Sequence, residues 1–228
     1  MNTLILIGMP GSGKSECGRA IAGSIKDSLF LETDKLIEES SKMSISSIFA
    51  RHGEPFFRSL ERLTVEILHD HKIKGAANLL AKEEDGQDPI KTGLFEKTVE
   101  MLDRHTTMIV STGGGLPVGE GNMAILKALG TVVYLAADAD TLAKRLQEDS
   151  TRPLLAGATQ PIDNKRDFNK AKKEKLERIS QLLRERDPVY RMADITIDTS
   201  FQTPESVVNR LIAEFNRLQT SEDFDKTV

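Results

Sequence analysis

The chain has 228 residues, 39% hydrophobic and 29% charged, and this length fits one α/β domain with an insertion better than two full domains. Its formal net charge of −4 argues against a general nucleic-acid binder, because such domains concentrate positive charge on one face. The single cysteine excludes an intramolecular disulfide framework, and the lack of an apolar run of about 18 residues argues against a membrane-spanning segment.

Five short apolar runs are expected to form buried strands. They are residues 4–8, 29–32, 108–112, 132–136 and 195–198. Segments with helical periodicity or capping residues occupy 14–25, 34–41, 55–70, 123–129, 139–146, 167–184 and 204–218. Because strands and helices alternate, the sequence predicts a three-layer α/β/α fold with a five-stranded parallel sheet. Ligands are then expected at the carboxyl ends of the strands.

Two segments interrupt this alternation. Approximately residues 71–105, which include the polar run KEEDGQDP, are interpreted as a helical insertion, and approximately 147–165 as a mobile loop rich in Pro, Gly, Asp and Thr. Approximately residues 219–228 are expected to form a flexible tail. Since no repeat of 20 to 50 residues is found, residues 1–228 are predicted to form a single domain.

The eight residues from Gly8 to Ser15 match the pattern G-x-x-x-x-G-K-[ST] in full, between a predicted strand and a predicted helix. Gly11 and Gly13 allow the backbone to turn so that its N–H groups point at a phosphate. Lys14 is expected to bridge the β- and γ-phosphates of ATP, and Ser15 to offer its hydroxyl to Mg²⁺. The alternative is a glycine-rich turn that binds nothing. The nucleotide contacts predicted in this motif are Gly11, Ser12, Gly13, Lys14, Ser15 and Glu16.

Three further motifs fall at predicted strand or helix ends. Asp34 follows the second strand and is placed at the N-cap of the next helix, where a plain helix cap is the alternative function. Arg58 lies one turn into another predicted helix. The third motif is a glycine run that permits close backbone approach to a ligand, formed by Gly113, Gly114 and Gly115. Each of these motifs is weak evidence for a binding site when taken alone.

Together with the phosphate-binding motif, they resemble the shikimate kinases, a family of P-loop proteins with a nucleoside-monophosphate-kinase-like fold. The resemblance extends to RPLLAG at 152–157 and to RERDPVY at 184–190, and it covers the chain except the insertion and the tail. It implies an ATP-dependent and Mg²⁺-dependent kinase that transfers the γ-phosphoryl group of ATP to the 3-hydroxyl of shikimate, in aromatic amino-acid biosynthesis. Composition and spacing alone indicate only a kinase of a small metabolite.

The resemblance implies a role for each matching residue of the acceptor site. Asp34 would bind the shikimate hydroxyls and serve as the candidate base for the attacking one. Arg58 and Arg186 would hold the shikimate carboxylate, because a planar guanidinium can give two charge-assisted hydrogen bonds to one carboxylate. The glycine run 113–115 would supply close backbone contacts to the acceptor. For the two arginines, a solvated helix face is the alternative.

On the nucleotide side, Arg152 would lie in a lid formed by the mobile loop, close over the phosphates and exclude water. With Asp34 and Lys14 it would complete the catalytic set. Arg145 and Pro204 would sandwich the adenine base, although both also have ordinary structural explanations.

One departure from the family pattern concerns the metal. The family has Asp-x-Asp where this chain has Glu32, Thr33 and Asp34, so Glu32, expected to help Ser15 hold Mg²⁺, is one methylene longer. We expect activity to be retained, with an altered affinity for Mg²⁺.

Two other functions stay open: another P-loop metabolite kinase, of gluconate or nucleotide type, and a non-catalytic nucleotide-binding regulator. The partners expected are ATP and shikimate, with neither nucleic acid nor membrane, and the chain is expected to be a monomer. It is expected in the cytoplasm, because its first apolar run leads directly into the phosphate-binding motif and does not resemble a signal peptide.

Overall fold

The computed structural model describes residues 2–74, 88–102, 105–146 and 165–225, and only the backbone of residues 74, 165–172 and 218–225 within them. The chain folds around a parallel sheet whose strands are β1 (Asn2–Ile7), β2 (Ser28–Glu32), β3 (Thr107–Ser111), β4 (Thr131–Ala136) and β5 (Ile195–Asp198). Their order across the five-stranded sheet is β2-β3-β1-β4-β5. Every predicted strand is therefore confirmed, with bounds that differ by at most two residues.

Helices connect the strands. The α-helices among the described residues are α1 (Lys14–Ser24), α2 (Thr33–Ser41), α3 (Ile45–Lys74), α4 (Pro89–Leu102), α5 (Asn122–Leu129), α6 (Ala139–Arg145), α7 (Lys165–Tyr190) and α8 (Pro204–Asp225). Each predicted helix has a counterpart, and α4 lies inside the predicted insertion. None of these helices is both long and apolar enough to cross a membrane.

The sheet is buried on both faces because successive side chains of a strand point to opposite sides. In β1, Ile5 and Ile7 join a core cluster with residues of α2 and α3, whereas Leu4 and Leu6 join a second cluster with α1 and α8. All four side chains are at most 1% exposed. Burial of each such side chain stabilises the fold by about 1.5 to 3 kcal/mol, as an upper estimate. Helices thus cover both faces, which confirms the three-layer α/β/α fold.

Three helices, α3, α7 and α8, extend well beyond their predicted bounds. In α3, Gly53 interrupts the helix with φ of 82° and ψ of 168°, two residues before Pro55, so the predicted helix is preceded by a further helical segment from Ile45. Helix α7 continues beyond its predicted end at residue 184, through Pro188 to Tyr190. Because Tyr190 is fully buried, its packing outweighs the helix-breaking tendency of the proline.

The predicted helical insertion and the predicted flexible tail both contain helix. The predicted insertion at 71–105 contains the end of α3 and all of α4, which packs against α2 and α3. The predicted tail from 219 onwards is helical as far as Asp225. Residues 147–164 of the predicted lid lie outside the described residues.

Candidate active site

The phosphate-binding motif forms the turn between β1 and α1. Gly11 and Gly13 have φ values of 82° and 94°, left-handed values that a side chain would make unfavourable. The Nζ of Lys14 donates hydrogen bonds to the carbonyl oxygens of Gly8 and Met9 at 3.0 and 2.9 Å. The backbone N–H groups of the first turn of α1 lie beside this loop, an arrangement suited to phosphate.

A cavity of about 520 Å³, here called the loop cavity, lies along this turn. It brings together every described residue of the predicted nucleotide site: Gly11, Ser12, Gly13, Lys14, Ser15, Glu16, Arg145 and Pro204. Thr199 also lines the loop cavity and was not found from the sequence. It positions Arg145, whose guanidinium donates to the carbonyl oxygen of Thr199 at 2.7 Å and to its hydroxyl at 3.1 Å.

Ser15 and Glu32, the predicted metal ligands, line a second cavity of about 210 Å³, the middle cavity. The Oε2 of Glu32 forms ion pairs with Lys35 at 2.7 Å and Arg19 at 3.1 Å. Burial alone would raise the pKa of Glu32, but hydrogen bonds from Lys35, Ser15 and Arg19 outweigh it and hold the pKa below its usual value. Glu32 is therefore an ionised oxygen ligand beside a hydroxyl, a donor set suited to a hard cation.

Among the described residues, no group of three or more His, Cys, Asp or Glu could hold a metal ion. A cation at Ser15 and Glu32 would thus depend on further oxygen atoms from water or from the phosphates of a nucleotide.

A third cavity of about 250 Å³, the arginine cavity, contains the predicted acceptor residues Asp34, Arg58, Gly113, Gly114, Gly115 and Arg186. Arg186 is only 9% exposed, whereas the neighbouring Arg184 is exposed and does not line this cavity. The structure thus places the arginine two positions before Pro188 in the cavity, as the family pattern implies.

The N-cap position predicted for Asp34 is wrong. Helix α2 begins at Thr33, with Glu32 as its N-cap residue. The reason is a tertiary contact: the hydroxyl of Thr33 accepts a hydrogen bond from the backbone N–H of Gly113 at 2.9 Å. Asp34 therefore lies in the first turn of the helix, and its carboxylate lines the arginine cavity.

The glycine run 113–115 leaves room for three of the charged residues of this cavity. A Cβ atom added at the first glycine would lie 3.1 Å from the Cγ of Asp34, at the second 3.3 Å from a guanidinium nitrogen of Arg186, and at the third 2.9 Å from the Cζ of Arg58. The hydroxyl of Tyr190, fully buried, donates to the carbonyl oxygen of Gly114 and so ties the glycine run to α7.

Glu61 is a site residue that the sequence reasoning missed. It is 2% exposed, lines the arginine cavity and forms a 2.6 Å ion pair with Arg58. Its position three residues after Arg58 on a predicted helix is the signal that could have revealed this pair. Burial raises the pKa of Glu61 to about 7, the Arg58 guanidinium opposes this shift, and the Asp34 carboxylate adds to it.

Of the predicted site residues, only Arg152 lies outside the described part of the chain. The three cavities that hold the others share residues. Lys14 and Ser15 line both the loop cavity and the middle cavity, and Asp34 and Gly113 line both the middle cavity and the arginine cavity. The middle cavity therefore adjoins both of the predicted sites.

A family model described as shikimate kinase matches residues 10–75 and 94–216 of the chain. Among curated relatives, the shikimate kinase of Sulfurihydrogenibium sp. is 32% identical over 217 residues, which are 95% of this chain and 99% of the relative. The shikimate kinase of Cereibacter sphaeroides is 32% identical over 209 residues, with 92% of this chain and 80% of the relative covered.

Solved structures show the same similarity. The shikimate kinase from Acinetobacter baumannii in complex with shikimate is 25% identical, with a TM-score of 0.63 and coverage of 97% of this chain and 94% of the other. The shikimate kinase from Bacteroides thetaiotaomicron is also 25% identical, with a TM-score of 0.65 and coverage of 94% and 98%. Between its two matched segments, the family model leaves out residues 76–93, which fall within the predicted insertion.

Proposed function

The chain belongs to the shikimate kinase family and is an ATP-dependent kinase that phosphorylates a hydroxyl of shikimate, and we propose that the 3-hydroxyl is the acceptor and that Lys14, Asp34 and Arg152 form the catalytic set. The observation that carries this proposal is that the three cavities adjoin and share lining residues. Phosphoryl transfer requires the donor and acceptor oxygens roughly in line with the phosphorus. The middle cavity, lined by Lys14 and Ser15 of the phosphate-binding motif and by Asp34 of the acceptor site, supports that arrangement.

On the donor side, ATP would occupy the loop cavity with its phosphates at the first turn of α1. The ammonium of Lys14, close to the carbonyl oxygens of Gly8 and Met9, would move onto the β- and γ-phosphates. Arg145 and Pro204 would contact the adenine base from two sides. Arg152 would bring a further positive charge to the transferred group.

On the acceptor side, Asp34 would accept the proton of the attacking hydroxyl and orient that oxygen towards the γ-phosphorus. Arg58 and Arg186 would hold the carboxylate of shikimate, which fixes the orientation of the ring. The ion pair with Glu61 supports this role of Arg58, because it holds the guanidinium against the glycine run.

We propose that Ser15 and Glu32 would hold Mg²⁺ with their side-chain oxygens. When bound, Mg²⁺ would neutralise charge that develops on the phosphate oxygens. The low pKa of Glu32 supports the assignment, because an ionised carboxylate is available for the cation at neutral pH.

We also propose that the chain is a cytoplasmic monomer formed by a single domain. The central sheet supports the single domain, since its five strands come from along most of the chain, from Asn2 to Asp198.

The substrate proposal is tested by measuring ADP release with MgATP and, side by side, shikimate, gluconate and nucleoside monophosphates. We expect ADP release that depends on shikimate, with shikimate 3-phosphate as the product identified by phosphorus NMR. Faster turnover of gluconate or of a nucleotide would contradict the shikimate assignment. Tight ATP binding without turnover of any acceptor would instead favour a non-catalytic regulator.

A further inference from the structure

The arginine cavity contains a third arginine, Arg178, in addition to Arg58 and Arg186. Arg178 and Arg186 lie on α7, eight residues apart, which corresponds to about 12 Å along the helix axis. Arg186 is 9% exposed, whereas Arg178 is exposed to solvent. Arg178 therefore stands at the open side of the cavity and Arg186 at its closed side.

The charges around the cavity make this third guanidinium important. Two carboxyl groups line the arginine cavity, those of Asp34 and Glu61, and when both are ionised they offset two of the three lining arginines. The remaining guanidinium gives the lining its net positive charge. A cavity without net positive charge would offer little electrostatic attraction to a carboxylate ligand.

Arg58 is already engaged with carboxylates of the protein. Its guanidinium donates to Glu54 from Nε at 3.2 Å and from Nη2 at 2.7 Å, and to Glu61 from Nη1 at 2.6 Å. Of the five N–H donors of an arginine, three are therefore used. Arg178, in contrast, forms no ion pair with any residue in the described part of the chain. Its charge is thus available to a ligand.

We propose that Arg178 is a further acceptor-binding residue, which contacts the carboxylate-bearing acceptor from the open side of the arginine cavity. This inference rests on the proposed function and deepens it, because it adds a second guanidinium, beside Arg186, that forms no ion pair with a carboxylate of the described residues. Arg178 binds the acid in the ground state and in the transition state alike. Its loss therefore weakens acceptor binding and leaves the rate of the chemical step unchanged.

The test compares Arg178→Ala and Arg178→Lys with Arg184→Ala. Arg184 is a matched control because it lies on the same helix, is exposed, carries the same charge and does not line the cavity. Shikimate binding is measured by calorimetry, and KM and kcat are measured at saturating MgATP. For Arg178→Ala we expect Kd and KM for shikimate to rise about tenfold, with kcat within about twofold of the wild type.

For Arg178→Lys, the Kd and KM for shikimate are expected to lie between those of the wild type and of the alanine variant. Lysine keeps the positive charge but lacks the planar guanidinium that can donate two hydrogen bonds to one carboxylate. Arg184→Ala should bind shikimate as the wild type does. Added salt should weaken shikimate binding less in Arg178→Ala than in the wild type. Because Arg178 is exposed, its variants should unfold within about 2 °C of the wild type.

Three outcomes would overturn the inference: wild-type affinity in Arg178→Ala, an equal loss of affinity in Arg184→Ala, or a fall of kcat at unchanged Kd. The wild-type enzyme, measured in the same series, separates this inference from the proposed function. If the wild type does not phosphorylate shikimate, the proposed function fails. If the wild type phosphorylates shikimate and Arg178→Ala binds shikimate with the same affinity, only the role of Arg178 fails.

Discussion

At the scale of single residues, the arginine cavity depends on the lack of side chains in the glycine run 113–115 as well as on the charged side chains that line it. Asp34, Arg58 and Arg186 come from α2, α3 and α7, and each lies against one member of the glycine run 113–115. A side chain at Gly113 or Gly115 would displace a charged group from the cavity, whereas one at Gly114 would first clash with Pro10. The glycines are thus explained by packing against protein groups as well as by close approach of a ligand.

Because Asp34 and Arg58 have different proposed roles, we expect their substitutions to change different kinetic constants. Asp34→Asn should lower kcat by about 10²–10⁴-fold, because the amide cannot accept the proton of the attacking hydroxyl. Arg58→Lys should mainly raise KM for shikimate, by about tenfold, because the planar fork is lost. Steady-state kinetics with varied shikimate distinguishes the two effects, and wild-type kinetics in both variants would refute the site assignment.

The ion pairs of Glu32 lead us to expect that Glu32→Asp changes the dependence of activity on Mg²⁺. Its carboxylate is shared between Lys35 and Arg19, and both cations compete with Mg²⁺ for its oxygens. A shorter carboxylate would reach these partners less well, so Glu32→Asp should keep its activity and reach half-saturation at a lower concentration of free Mg²⁺, by about tenfold or less. Activity titrated with free Mg²⁺ at saturating substrates measures this shift. Identical titration curves for the two proteins would contradict it.

The raised pKa of Glu61 leads us to expect that the stability of the protein depends on pH. Its pKa in the folded chain is raised from 4.5 to about 7, so the folded state holds the proton more tightly than the unfolded state does. The stability that protonated Glu61 contributes is complete below about pH 4.5 and is lost as the pH rises through about 7. Between pH 5 and pH 8, the free energy of unfolding of the wild type should therefore fall relative to that of Glu61→Gln.

Urea unfolding of both proteins across this pH range provides the measurement. The difference between them is the relevant quantity, because titration of the other groups is common to both. A difference that stays constant with pH would show that Glu61 is ionised throughout.

At the scale of secondary-structure elements, α4 connects the predicted insertion to the site. Its residues Leu94 and Leu102 belong to the same core cluster as Leu36 of α2 and Leu60 of α3. Helices α2 and α3 carry Asp34 and Arg58, so α4 packs directly behind two of the acceptor elements. The helical part of the insertion is therefore a component of the core rather than an excursion into solvent.

This packing predicts which substitutions in α4 destabilise the protein. Leu94→Ala should lower the free energy of unfolding by about 2 to 5 kcal/mol, because Leu94 is fully buried. Lys97→Ala removes only an exposed ion pair with Glu39 and should change stability by about 0.5 kcal/mol or less. Chemical denaturation of the full chain compares the two variants, and a loss in Leu94→Ala no larger than in Lys97→Ala would place α4 outside the cooperative core.

At the scale of the whole molecule, the strand order brings the motifs together. Strand β1 lies between β3 and β4, and β3 lies between β1 and β2. The phosphate-binding motif follows β1, the glycine run follows β3, and Asp34 follows β2. Three adjacent strands thus deliver the two ligand sites to one edge of the sheet, as expected for parallel α/β folds.

The surface of the described residues predicts a monomer. Only four of their large apolar side chains are exposed, Ile73, Val118, Met192 and Phe201, which argues against one extended apolar interface. Sedimentation equilibrium at about 10 μM should therefore give the mass of one chain. A stable dimer at that concentration would contradict the proposal and would direct attention to the segments around these four residues.

The strands and the phosphate-binding motif were predictable because their signals are local. A continuous apolar run specifies a buried strand, and the order of glycines, Lys14 and Ser15 fixes both a backbone turn and its chemistry. The N-cap position of Asp34 was not predictable, because the hydroxyl of Thr33 bonds to a backbone group 80 residues away.

The sequence by itself thus determined the fold class and the phosphate-binding loop, and its resemblance to a family supplied the substrate. Tertiary structure alone decided that Thr199 positions Arg145, that Glu61 pairs with Arg58 inside the cavity, and that α4 joins the core. These features depend on packing and on burial, which bring distant residues together and set the charge of a cavity. The spacing of Arg58 and Glu61 makes their pairing possible, but nothing in the spacing of residues along the chain shows that the pair is buried or that the other two contacts form.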